Sequence, residues 1–157
     1  MAGEKVLGVI SDTHGLVRPG VLDLFKEADL IIHAGDIGGE EVIEKLERLA
    51  PVVAVRGNCD RGWWALKFQE TEVVDAGDGL LLYVLHNLAR LEINPAAAGF
   101  GAVIYGHSHQ PAEMRKDDVL YLNPGSAGPV RFTLPVSAAL LAVKEGSIKA
   151  KFFHLQY

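Results

Sequence analysis

The sequence predicts an α/β fold, a layered sandwich of two stacked sheets with helices on the outside. Three observations predict it. The first third of the chain alternates short β-branched runs with amphipathic stretches, the pattern of βαβ units and a parallel sheet. The remainder is a series of closely spaced apolar runs separated by turn residues, which reads as a second set of strands. Polar residues of metal-ligand type recur directly after the apolar runs.

In order, residues 6–10 form an apolar, β-branched strand, and residues 18–27 an amphipathic helix with Val21, Leu22, Leu24 and Phe25 as its stripe. Residues 30–34 repeat the strand. Residues 40–49 repeat the helix, with Val42, Ile43, Leu46 and Leu49 on one face and Lys and Glu on a solvated one. Pro51 stops that helix, and residues 52–55 begin a third strand. Residues 72–74 and 80–85 flank Ala76-Gly77-Asp78-Gly79, a hairpin signal. Residues 102–105, 119–122, 137–143 and 148–154 are further strands, with Glu145-Gly146-Ser147 turning between the last two. In this half only residues 95–99 offer a short helix. No linker or shift in composition interrupts the chain, so residues 1–157 read as one domain.

Composition narrows the function classes. With 157 residues, 49% hydrophobic and 22% charged, the chain is long enough to bury a sizeable core and carries no disordered or repetitive tract. Its net charge of -5 provides no basic footprint for stable binding to nucleic acid. Cys59 has no second cysteine to pair with, and the apolar runs are too short for a signal peptide or a membrane span. The expectation is a cytoplasmic protein.

The chemistry lies after the strands. Asp12 and His14 follow the first, Asp36 the second, Asn58 the third, His86 the strand at 80–85, and His107 and His109 the strand at 102–105. Carboxyl ends of parallel strands open on one edge of a sheet, so these seven residues can converge. Residues two apart on an extended chain point the same way, which would make Asp12/His14 and His107/His109 two clamps. Carboxylate, amide oxygen and imidazole suit Mn, Fe, Ni or Zn better than a thiolate-seeking metal, and a carboxylate can bridge two ions. Asp36, alone after its strand, is the candidate bridge.

Read together, Asp12-Thr13-His14, Gly35-Asp36, Gly57-Asn58, His86 and Gly106-His107-Ser108-His109 resemble, in order and over nearly the whole chain, the motifs of the calcineurin-like metallophosphoesterases. Within that family, with Asn123-Pro124-Gly125-Ser126, the chain is similar to the YfcE/MJ0936-type phosphodiesterases. The resemblance implies a four-layer α/β/β/α sandwich of two mixed sheets flanked by helices. It implies two divalent metal ions, Mn foremost: Asp12, His14, Asp36 and His109 on the first, Asp36, Asn58, His86 and His107 on the second. It further implies hydrolysis of a small phosphate-ester substrate, a diester above all, by in-line attack of a metal-bridging hydroxide, with Asp36, Asn58 and His107 at the reacting centre. Two ions would lower the pKa of a shared water and stabilise attacking and leaving oxygens.

Two positions depart from the broader pattern. Many members carry His directly after the metal-binding Asn, as a phosphate contact or general acid; here Cys59 follows Asn58, and Asp60 follows it. Cys59 is either an inert small residue or a phosphate contact. A glycine commonly follows the lone His, and here Asn87 does, which predicts a different backbone path and a less occupied second metal. Outside the ligand set, His33 and His154 read as structural. Trp63, Trp64 and Phe68 could pack, make a homodimer contact or wall a substrate, and Arg18 and Arg131 are candidate phosphate contacts. The alternative function is a non-catalytic metal-binding scaffold, since the small retromer subunit resembles this family. A regulatory domain with one empty metal site is a third.

Overall fold

The computed structural model describes residues 3–155. The first half folds as β1 (Lys5–Ile10), α1 (Pro19–Leu24), β2 (Leu30–His33), α2 (Glu40–Glu47) and β3 (Val52–Ala54), and the second adds β4 (Thr71–Asp75), β5 (Leu81–Leu85), β6 (Phe100–Ile104), β7 (Ala112–Lys116), β8 (Val119–Asn123), β9 (Ser137–Lys144) and β10 (Ser147–His154). These strands make two five-stranded mixed sheets, in the orders β10-β9-β1-β2-β3 and β4-β5-β6-β8-β7. β1, β2 and β3 are mutually parallel, as are β5, β6 and β8, while β9 and β4 add antiparallel. The predicted hairpins at 72–85 and 137–154 are both present.

Alternation along each strand assigns its faces. Leu7, Val9, Ile32 and Leu141 of the first sheet meet Leu82, Val84, Ile104 and Leu122 of the second, forming the layer between the sheets. Ile10 and Ile31 point the other way and pack under α1 and α2 against Val21, Phe25, Val42, Ile43 and Leu46. Full burial of each such side chain is worth about 1.5–3 kcal/mol. Gly8 makes room in β1 for the Phe25 ring, whose Cδ1 would lie 2.8 Å from any added Cβ. The fourth layer is thin: Leu88 and Leu91, around a single 3-10 turn at Leu88–Arg90, cover Leu85, Val103 and Val119 on the outer face of the second sheet.

Local expectations differ from the structure in several places, among them a 3-10 helix at Trp63–Lys67 and the turn at Leu88–Arg90, where no helix was expected. The helix at 18–27 ends at Leu24, and Phe25 begins a turn that returns the chain toward β2. The helix at 95–99 is a turn, held by Ala98 N–H to Asn94 O (3.0 Å) and by an Asn94 Oδ1 bond from Ala97 N–H (3.2 Å). β7 lacks a sequence signature because it is a fully exposed edge strand with no apolar alternation, and charge on an edge discourages pairing with other chains. Its tight turn to β8 uses Asp117 and Asp118 at φ 52° and 62°, the mirror-image hairpin geometry without its usual glycine. Trp64 packs edge-on to Phe68 beneath α2's layer (6.3 Å between rings), and Trp63 is 89% exposed.

Candidate metal centre

All seven proposed ligands sit in the loops that follow β1, β2, β3, β5 and β6. The loops after β1 and β2 are zipped together by Asp12 N–H to Gly35 O (2.9 Å), His14 N–H to Asp36 O (3.0 Å) and Gly15 N–H to Ile37 O (2.8 Å). Asp12, His14, Asp36, His107 and His109 all have positive φ, between 46° and 75°. The paired residues therefore converge through left-handed turns, which corrects the extended-chain expectation. Each such residue costs on the order of 1 kcal/mol, and strain of this kind collects at functional sites.

Hydrogen bonds leave one oxygen of each carboxylate aimed inward. Asp12 Oδ2 accepts from Ser11 Oγ–H (2.7 Å) and His107 N–H (3.1 Å), whereas its Oδ1 is buried without a partner. That Oδ1 lies 3.3 Å from His109 Nε2 and 3.9 Å from both His14 Nε2 and His86 Nε2. Asp36 Oδ1 accepts from Cys59 N–H (2.9 Å), and its Oδ2 faces His86 Nε2 at 3.3 Å and His14 Nε2 at 3.8 Å. His86 Nδ1–H donates to Ala34 O (2.7 Å), which fixes the tautomer and points its Nε2 at the carboxylates.

The electrostatics follow from that geometry. Burial opposes ionisation of Asp12, but the facing His109, the Ser11 hydroxyl and the nearby His86 outweigh it and hold the carboxyl below its ordinary range. Burial is likewise overcome at Asp36 by His86 and the Cys59 amide. Burial lowers His14. It would lower His86 too, yet the facing Asp36 carboxylate, the nearby Asp12 charge and the bond to Ala34 O raise it. The result is two carboxylates, ionised at neutral pH, among three inward-facing imidazoles.

Asn58 and His107 complete the rim. They are exposed, with His107 Nδ1 3.2 Å from Asn58 Oδ1 and the His107 ring 5.2 Å from that of His86. Cys59 is exposed, and partial desolvation together with the Asp36 charge raises its thiol, so it stays protonated at neutral pH. Asn87 adopts φ -114°, ψ 112°, which needs no glycine, and its Oδ1 caps the following turn by accepting from Ala89 N–H. Arg131 is close enough for its charge to act on His14 and Cys59, and Arg18 Nη2 donates to Gly128 O (2.9 Å).

Asp60 and Ser11 support the site without a signal of their own in the sequence, and the Asn-Pro-Gly-Ser segment gains its reason. Buried Asp60 ties two loops together, accepting from Gly38 N–H (3.0 Å) and Gly57 N–H (2.8 Å). Asn123 Nδ2 donates to Gly106 O and Ser108 Oγ, and Ser126 Oγ–H donates to Asp12 O (3.1 Å), which explains the Asn-Pro-Gly-Ser segment. Ser11 precedes a ligand and gave no other hint.

His33 is structural, as expected. It is fully buried, its Nε2–H donating to Thr13 Oγ1 (2.9 Å) and its Nδ1 accepting from Gly35 N–H (3.1 Å). Burial pushes its pKa down to about 3 from 6.5. The unfolded chain therefore binds a proton that the folded one refuses between those values, and stability falls as pH drops through that window, by at most about 1.4 kcal/mol per pH unit. Urea midpoints of the wild type and His33→Gln, compared from pH 7.5 to 4.5, should show a steeper acid loss in the wild type. Equal slopes would show that His33 carries no such linkage.

The donor set fits divalent metal. Asp12, His14 and His109 form one group with ligand atoms within 4.8 Å of one another, and Asp12, Asp36 and His86 form another. Unpartnered buried atoms, Asp12 Oδ1 with the Nε2 of His14 and of His86, are what a cation would satisfy. Comparison with known proteins agrees in kind. Residues 6–146 match the calcineurin-like phosphoesterase superfamily domain. The chain is 32% identical to "Probable metallophosphoesterase MJ0623" of Methanocaldococcus jannaschii, across 99% of this chain and 84% of that protein. It is 30% identical to "Phosphodiesterase MJ0936" of the same organism, across 76% and 82%. In fold it resembles Vps29 of Chaetomium thermophilum, with TM-score 0.81, 18% identity and coverage of 97% and 92%.

Proposed function

Because this chain belongs to the calcineurin-like phosphoesterase superfamily, we propose that it is a metal-dependent phosphodiesterase with a dinuclear centre. The observation that carries the reading is the inward set of buried atoms without partners, Asp12 Oδ1, His14 Nε2 and His86 Nε2, beside carboxylates whose other oxygens are already anchored. Asp12, His14, Asp36 and His109 would hold one divalent ion, and Asp36, Asn58, His86 and His107 the other. Asp36 would be shared, its Oδ2 facing both His14 and His86, with Asp12 Oδ1, common to the two donor groups, beside it. Mn is the first candidate, with Ni, Fe and Zn following from the same donors. Bound ions would supply a water activated as nucleophile and neutralise charge on the phosphoryl oxygens.

The chain's own residues do the rest. Ser11 and the amides of Cys59 and His107 fix the carboxylates, and Ala34 O fixes the His86 tautomer, so the donors are oriented before any ligand arrives. The exposed Asn58 and His107 leave the phosphate an approach from solvent. A protonated Cys59 thiol replaces the imidazole that would protonate a poor leaving group, which favours diesters and esters of good leaving groups over alkyl monoesters. Cys59→His should raise monoester hydrolysis without loss of metal. A cytoplasmic protein acting on a small phosphate ester as a monomer or homodimer, without stable nucleic-acid binding, accords with the net charge of -5 and with the absence of any described helix long and apolar enough to cross a membrane.

Elemental analysis followed by assay with bis-p-nitrophenyl phosphate and p-nitrophenyl phosphate, after adding Mn, Ni, Zn or Mg, tests the reading. Diester turnover that requires metal and vanishes with chelator is the expected result. Two bound metals without cleavage of either ester would favour the scaffold alternative, and failure to bind any metal would overturn the dinuclear centre.

A further inference from the structure

A cleft of about 540 Å³ opens beside the candidate metal centre, with Asn58, His86 and His107 in its lining. The segments that deliver those residues also furnish its walls. Arg56 lies two residues before Asn58, and Arg90 ends the 3-10 turn that follows His86. Arg56 is held at both ends, its N–H donating to Gln69 O (2.7 Å) and its Nη2 lying 3.5 Å from Glu70 Oε1. Tyr83 adds an aromatic ring fixed edge-on against Phe100, with centroids 5.2 Å apart, and Leu85 is the buried apolar member. Glu70 and Glu92 complete a lining of two guanidiniums and two carboxylates.

Resting on the phosphodiesterase reading, we propose that this cleft is the subsite for the organic substituent on the phosphate, and that it takes a nucleoside. A cleft of this volume is within the range of small-molecule sites. Balanced charge disfavours a purely anionic or a lipid substituent. A nucleobase presents hydrogen-bond donors and acceptors together on a planar edge, which Arg, Glu and the Asn87 amide can answer, and its face suits a rigid tyrosine or a guanidinium plane. The same loops set both ligand residues and cleft walls, so a nucleoside seated there would have its phosphate within reach of Asn58, His86 and His107.

The test uses two diesters with one leaving group, thymidine 5′-monophosphate p-nitrophenyl ester and methyl p-nitrophenyl phosphate, each assayed with Mn-loaded protein. The ratio of kcat/KM between them reports the retained substituent. The wild type should prefer the thymidine ester by about tenfold or more, and Arg90→Ala and Tyr83→Leu should each bring that ratio down at least about threefold. Calorimetric titration of the same proteins with thymidine 5′-monophosphate and with inorganic phosphate gives a readout independent of turnover, with tighter nucleotide binding expected and lost in Arg90→Ala. No preference in the wild type by either readout, or a preference untouched by both variants, would overturn the subsite. If neither ester is cleaved, the phosphodiesterase reading fails by itself, and the titration alone decides the cleft.

Discussion

Asp36→Ala is expected to lower metal-dependent diester hydrolysis by about a thousandfold or more, a loss of several kcal/mol of transition-state stabilisation. Metal content should fall well below that of the wild type. The physical reason is the position of a single side chain: Asp36 Oδ2 is 3.3 Å from His86 Nε2 and 3.8 Å from His14 Nε2, while Oδ1 accepts from Cys59 N–H. Removing it separates the two halves of the centre and leaves the Cys59 amide without its acceptor. Alanine also tolerates the φ of 56° less well than aspartate, which adds about 1 kcal/mol of destabilisation. Asp36→Asn keeps the backbone tolerance and an acceptor for Cys59 N–H, so it separates loss of charge from loss of fold. Metal analysis and p-nitrophenolate release on both variants provide the check. Full metal content with an unchanged rate in either one would sink the assignment of Asp36 as the shared ligand.

Gly57→Ala should be nearly as damaging although glycine binds nothing. A Cβ at this position would collide with the Asp36 amide nitrogen and Oδ1, and would lie 2.9 Å from its Cγ. Gly57 cannot retreat easily, because its own N–H donates to the buried Asp60 carboxylate (2.8 Å). Backbone must therefore shift. The expected cost is about 3 kcal/mol in stability, together with weakened metal binding as Asp36 is pushed off its line. Gly20→Ala is the control: an added Cβ there meets only Leu155 Cδ2 at an ordinary 3.5 Å, inside α1, and helix propensity favours alanine by roughly 0.5–1 kcal/mol. Urea midpoints and metal content for the two variants decide the matter. A Gly57→Ala protein as stable and as metal-loaded as the wild type would show that the loop adjusts freely.

What could be read from the chain, and what could not, divides along physical lines. Buried strands announce themselves because burial demands apolar residues, so β1, β2, β6, β8 and β9 were legible in Val, Ile and Leu runs. β7 was not, because an exposed edge strand is under no such demand. The ligand set was legible because metal chemistry restricts residue type, and five strand ends carried suitable donors in order. Much of their support was not: Ser11 and Asp60 are ordinary polar residues until the fold places them against Asp12 and Gly57.

The sequence by itself determined the βαβ order, the strand-rich second half and which residues have the donor atoms for a metal centre, because each of these depends on side-chain chemistry and short-range period. Only the tertiary structure decided that the donors converge through left-handed turns, that each carboxylate keeps one oxygen inward, and that Arg56, Tyr83 and Arg90 share a cleft. Those facts depend on distances between segments far apart in the chain, and they arise only when two sheets stack with the carboxyl ends of their strands at one edge.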